Sequence, residues 1–195
     1  MSTLKRSTLS TAPDAFIFMK IGSHAGETFD QILQRKQREI EQAGRSFWGY
    51  GGASCHPLTQ VQPFARTLAQ QASGIYLLME YIHSTADPDI VPATQFSSDG
   101  VHWEKIPEGI NVTGSRYALV LDEILPGELE VPLDHYTVGI GQSRGKIAAE
   151  YLSGRVDKAC LTRGDDKQQD APSSSTPRKA SYVAKVIEPY GVLLK

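Results

Sequence analysis

Ala15-Phe-Ile-Phe-Met-Lys-Ile21 is apolar at nearly every position, and Gly22-Ser-His-Ala-Gly26 ends it. A short, almost continuous apolar run bounded by glycines reads as a buried central strand. Thr28-Phe-Asp-Gln31 follows, a hydroxyl three residues before a glutamine with an acid in the first turn, which is the signature of a capped helix start. Phe29, Ile32, Leu33, Ile40 and Ala43 keep to one helical face, and Gly44 is a natural stop. A buried strand followed by an amphipathic helix puts the chain among mixed α and β proteins.

Outward from this unit the punctuation continues. A second helix is predicted from about Pro63 to Gly74, and a second buried strand over Ile75-Tyr-Leu-Leu-Met-Glu-Tyr-Ile82. Residues 83–109 carry three prolines and read as a long loop with a turn at Ser98-Asp-Gly100. Further strands are predicted at Arg116–Ile124 and Tyr136–Ile140, with a turn at Pro126-Gly127 between them. A long helix is expected after Lys146, with Ile147, Ala148, Tyr151, Leu152, Val156 and Ala159 on its apolar face. Strands and helices do not alternate strictly, so the expected class is α+β. The sheet should be mixed and mostly antiparallel, with five or six strands and two or three helices.

The expected organisation is a disordered tail over 1–14, one domain over 15–164, a flexible Ser/Pro-rich linker over 165–180, and a C-terminal strand pair over 181–195. Of 195 residues 40% are hydrophobic and 22% charged, enough for a core without staples. No apolar run reaches the roughly 18 residues that span a bilayer, and no secretory h-region is present, so a soluble cytoplasmic protein with no membrane partner is expected. Cys55 and Cys160 should then be free thiols. Charge is uneven, with balances of +2 over 1–80, −8 over 81–140 and +4 over 141–195. Basic ends around an acidic middle suit a positive face toward a polyanion or, equally, a solvated acidic loop.

Phe47-Trp-Gly-Tyr-Gly-Gly-Ala-Ser-Cys-His-Pro57 is the most unusual stretch. Its glycines let backbone approach a ligand, and Trp48 and Tyr50 are candidates to stack on a planar base, with Trp103 as a third aromatic. Cys55 and His56 are the candidate catalytic pair, although neighbours in sequence rarely point at each other, so an inert Cys55 is the simpler reading. No Cys or His pair has the two-to-four-residue spacing of zinc ligands, and no metal is expected; a cofactor is not readable. The junction Gly141-Gln-Ser-Arg-Gly-Lys146 has the form of an anion site, with Ser143, Arg144 and Lys146 as phosphate ligands. It is not a Walker A loop, since its glycines are one residue too close and Ile147 stands where Ser or Thr would hold magnesium.

The order strand Phe16-Ile-Phe-Met-Lys20, helix, Trp48, Phe64 near a short helix, strand Ile75–Met79, strand Ala118–Asp122 resembles the PUA-like modules of the YTH and EVE families. The resemblance covers residues 16–124 and implies a pocket that reads a modified base. The acidic insertion, the Gly-rich Cys-His stretch and the basic segment after Gly145 depart from the pattern. The expected function is therefore a base- or nucleotide-binding module, its partner a nucleotide or single-stranded nucleic acid. An enzyme acting on a nucleotide-like substrate through a Cys/His pocket, or a protein–protein regulator, are the alternatives. Oligomeric state is not legible.

Overall fold

The computed structural model describes residues 6–52, 55–72, 74–86 and 91–195. Ala53, Ser54 and part of the long loop after His83 therefore lie outside the described residues, as do the first five residues of the expected tail.

The opening unit forms over the expected residues, but Lys36 and Glu39, in the polar stretch 34–39 that reads as solvated, are buried. β1 spans Ala15–His24, and α1 spans Phe29–Ala43. Thr28 accepts from the Gln31 N–H while the Gln31 side chain accepts from the Thr28 N–H, a complete capping box. Gly44, at φ +72°, closes the helix in the left-handed conformation that glycine adopts without penalty. The remaining order is β2 (Ser46–Gly49), α2 (Leu58–Gln71), β3 (Ile75–Ala86), β4 (Gln95–Ser97), β5 (Glu104–Lys105), β6 (Tyr117–Val131), β7 (Tyr136–Val138), α3 (Ala148–Tyr151), β8 (Lys158–Arg163), α4 (Asp166–Asp170) and β9 (Arg178–Leu194). The class is α+β, and the mixed sheet is larger than expected, with nine strands and four α-helices among the described residues.

The main sheet runs β2-β6-β9-β3-β1-β8-β7, with the β4–β5 hairpin joined to β9. β1 and β3 pair in parallel, while the other neighbours are antiparallel. Strand alternation sorts the core. Ile17, Met19 and Ile21 face α1, α2 and Trp48, and Phe16 and Phe18 face Tyr136, Leu152 and the segment around α3. A smaller cluster of Phe47, Phe96, Ile110 and Val112 lies under the hairpin.

Several elements differ from the sequence reading. α2 begins at Leu58, so Pro63 sits inside the helix rather than at its start. β6 runs straight through Pro126-Gly127; the pair produces a register shift against β9 instead of a chain reversal. The long helix expected after Lys146 is a four-residue turn ended near Gly154, at φ +75°, and residues 158–163 pair with β1 and β7. Ala159, Cys160 and Leu161 are all fully buried. Three consecutive buried residues suit a strand covered on both faces, not one helical stripe. The expected C-terminal pair is one 17-residue strand between β6 and β3.

Single residues of the expected tail and linker are tied to the domain, although most of the described residues in both segments are exposed. Ser7 donates its N–H to the Pro126 carbonyl at 3.0 Å, and Ala12 is buried. In the segment 165–180, α4 is capped by Asp165, and Asp134 accepts from the Ser173 hydroxyl and from both the N–H and hydroxyl of Ser175 at 2.7–2.9 Å. These bonds hold the Asp134 carboxyl below its ordinary pKa, the Ser175 hydroxyl contributing most.

Candidate functional site

Parallel strands cannot be joined by a tight turn, so the chain leaves their C-terminal ends in separate directions and a crevice opens between them. At the ends of β1 and β3, beside a register shift between Ile21 and Ser23, lies a cavity of about 470 Å³. That size falls within the range of small-molecule sites.

Its floor is apolar: Met19, Ile21, Ile32, Trp48 and Tyr50. Both aromatic residues come from the unusual stretch after α1. The Trp48 indole N–H donates to the Met19 sulfur at 3.3 Å, and the Tyr50 hydroxyl reaches the Phe18 carbonyl at 3.5 Å, so each ring is held from behind. Burial pushes the Tyr50 phenol well above its ordinary pKa and keeps it neutral. Each is only 2% exposed, so the cavity meets a narrow strip of each ring.

One wall is the segment Asn111–Ser115. It is tied down by a buried ionic cluster on α1. The Lys36 ammonium, 3% exposed, donates to Glu39 at 2.9 Å, to the Phe47 carbonyl at 2.6 Å and to the Asn111 carbonyl at 2.7 Å. Glu39 also accepts from Ser46, Arg35 and the Asn111 N–H. Arg35 holds Glu27 with two bonds of 2.9 and 2.6 Å and donates to the Asn111 carbonyl. The guanidinium hydrogen bond holds the Glu27 carboxyl low, whereas desolvation pushes Lys36 down to about 8. These cations face the cavity already neutralised, and their work is to join the start of the wall to the strand that carries Trp48.

Uncommitted groups line the rest. The side chains of Ser23, Ser84, Asn111, Thr113 and Ser115 face the cavity with no hydrogen-bond partner among the described residues. At the opposite wall, Gly154–Lys158, the exposed Arg155 guanidinium has no ion-pair partner among the described residues. Lys158 pairs with Asp157 at 2.9 Å and lies 6.0 Å from the centre of the Tyr50 ring. An apolar floor, several hydroxyls and the Arg155 guanidinium at the rim can seat a flat polar ligand carrying an anionic group.

No family model, curated protein or solved structure matches this chain. The chemistry of the site rests on its geometry.

The other candidates fall outside this cavity. Cys55 sits behind the Gly51-Gly52 backbone, its sulfur accepting from the Gly52 N–H at 3.0 Å and lying 3.8 Å from the Tyr117 hydroxyl. Tyr117 spends its own proton on the His56 carbonyl at 2.6 Å. The His56 ring turns to Tyr151, 3.4 Å from its hydroxyl and stacked on its ring, and packs under Gly141. Burial lowers the His56 pKa. No hydrogen bond joins the His56 ring to the Cys55 sulfur among the described residues, so the two do not form a nucleophile–base pair. Ser143, Arg144 and Lys146 lie on the reversal between β7 and α3, where the Lys146 carbonyl accepts from the Val138 N–H, and none lines the cavity. α3 has four residues, too few for a helix terminus to act on an anion there. Trp103 lies apart, with the Lys195 ammonium 5.3 Å over its ring. No group of three or more metal-ligating side chains occurs among the described residues, and no helix among them is long and apolar enough to cross a membrane.

The sequence reading misses Arg155 and the Asn111–Ser115 wall. A lone arginine in a loop and a polar run after a glycine carry no periodic signal; only the Gly154-Arg155 breaker in an otherwise helical pattern hints at a boundary.

Proposed function

We propose that this cavity binds a single base or nucleotide, with the base against the narrow strips of Trp48 and Tyr50 that reach the cavity floor and its phosphate at Arg155. The observation that carries the reading is the pairing of an aromatic floor with polar side chains left uncommitted around it. Hydrogen-bonding groups placed about a flat apolar floor are what recognition of a base edge requires. The free guanidinium at the rim is suited to a phosphate oxygen and replaces the role expected of Ser143, Arg144 and Lys146. The PUA-like resemblance of residues 16–124 would imply the same class of ligand. The Cys/His enzyme reading has less support, because among the described residues the His56 ring makes no hydrogen bond to the Cys55 sulfur and turns to Tyr151.

The test is fluorescence titration in a Trp103→Phe background, where Trp48 is the remaining tryptophan. Nucleosides, mononucleotides and short single-stranded RNA and DNA, with and without base modification, should quench Trp48 saturably. Arg155→Gln should weaken phosphate-bearing ligands and leave nucleosides unchanged, with the salt slope falling by about one. Absence of binding by all of these ligands would overturn the assignment.

A further inference from the structure

A second cleft, of about 380 Å³, opens beside the start of α1. Its character is opposite to that of the first. Phe29, Tyr81 and Tyr182 supply its rings, Asp30 its one charge, and neither lysine nor arginine lines it. The Phe29 and Tyr81 rings lie 5.3 Å apart at 22°, and Tyr182 meets Phe29 edge-on at 5.5 Å and 86°. Met79 and Tyr182 are directly paired across β3 and β9, so Tyr81, two residues on, stands diagonally beside Tyr182 on the same face. Tyr81 is 42% exposed, so part of its ring is open to the cleft and to solvent.

The carboxylate is available. An acid in the first turn of a helix ordinarily serves the free N–H groups there, but Thr28 and Gln31 already complete the capping box. Asp30 has no hydrogen-bond or ion-pair partner among the described residues. Its charge reaches the ring beside it, adding to the burial that raises the Tyr182 phenol above its ordinary pKa.

We propose that this cleft binds a small alkylated ammonium cation. Ring faces are the negative pole of the aromatic quadrupole, so two accessible tyrosines attract a cation, and the free carboxylate supplies the counter-charge. The hydroxyls of Ser23, Thr28 and Ser181 also line the cleft and suit a polar substituent on the ligand. Alkylation follows from the rings: a methylated ammonium presents apolar surface that packs on Phe29, Tyr81 and Tyr182, whereas a bare ammonium keeps its water. Phosphate-bearing ligands are repelled by Asp30, which separates this site from the base-binding cavity; the inference does not depend on that reading.

Choline decides the matter against its neutral carbon isostere, 3,3-dimethylbutan-1-ol, by titration of the full chain followed by two-dimensional NMR. Choline should bind saturably below about 10 mM and roughly tenfold tighter than the neutral alcohol. Asp30→Asn and Tyr81→Leu, both at exposed positions, should each weaken choline roughly fivefold or more, while Trp48→Phe leaves it unchanged. Equal affinity for the two compounds, no saturable choline binding, or a loss that follows Trp48→Phe instead of the cleft variants would overturn the proposal.

Discussion

Replacing Glu39 with alanine removes four hydrogen bonds at once, from Lys36, Arg35, Ser46 and the Asn111 N–H. Arg35 keeps both bonds to Glu27. Lys36 does not recover: its ammonium stays buried with two carbonyls and no counter-charge, and the fully buried Ser46 hydroxyl loses its acceptor. Removing one partner of a buried ion pair costs about 3–5 kcal/mol, and the intact Arg35–Glu27 pair argues for the middle of that range, about 4 kcal/mol. With a urea m value of about 2 kcal/mol/M, the unfolding midpoint should fall by about 2 M. The double variant Lys36→Met/Glu39→Leu removes both charges and should return to within about 2 kcal/mol of the parent, since apolar replacement of a buried pair is often close to neutral. Urea titrations of the three proteins, followed by circular dichroism, give the comparison. A loss below about 1 kcal/mol in the single variant, or a double variant no more stable than the single, would refute the idea that this cluster pins the cavity wall.

The same cluster gives a pH signature. Lys36 titrates at about 8 when folded and near 10.4 when unfolded, so between those values the unfolded chain holds more protons and this residue makes stability rise with pH. The stability difference between parent and Lys36→Met, from urea midpoints at roughly pH 7 and pH 9.5, should therefore shift in favour of the parent, and an unchanged difference would count against it. Cysteine labelling addresses the enzyme alternative. Cys160 is fully buried, and burial pushes its thiol far up; Cys55 is half-buried and its sulfur accepts from the Gly52 N–H. In native protein, iodoacetamide should leave Cys160 unmodified and alkylate Cys55 no faster than a free thiol peptide; a rate many times faster would restore a catalytic Cys55.

Legibility in the sequence followed the range of the signal. β1, β3 and the bounds of α1 were legible because local pattern and final environment agree: apolar runs in mid-sheet and a capping box. The burial of Lys36 and Glu39 was not, because the polar stretch 34–39 reads as a solvated face until the Asn111 segment is laid on it. β8 was hidden because Ile147–Ala159 happens to place apolar residues at helical spacing, and only pairing with β1 decides against the helix. β9 was hidden by Pro189 and Gly191, which look like a break between two short strands yet fall where its register shifts along β6. At the site, Trp48 and Tyr50 stood out by composition. Arg155 and the hydroxyls around the cavity acquire meaning only from strands distant in sequence. The Gly141–Lys146 turn misled because a glycine-rich strand-to-helix junction and a plain reversal look alike until the length of the next helix is known.

The position of β9 bears on how the chain comes to be folded during synthesis. β6 and β3 never touch along the main ladder; each is hydrogen-bonded to β9. A nascent chain that has released residues up to about 177 thus carries two long strands with bare inner edges and nothing to place between them. Both are apolar and stay sticky until residues 178–194 emerge. Joining β6 to β3 is consequently a non-local step, made by insertion of β9 between them, the kind of topology that favours slow folding and exposes a half-made chain to aggregation. Deleting residues 178–194 should therefore destabilise the protein out of proportion to the residues lost.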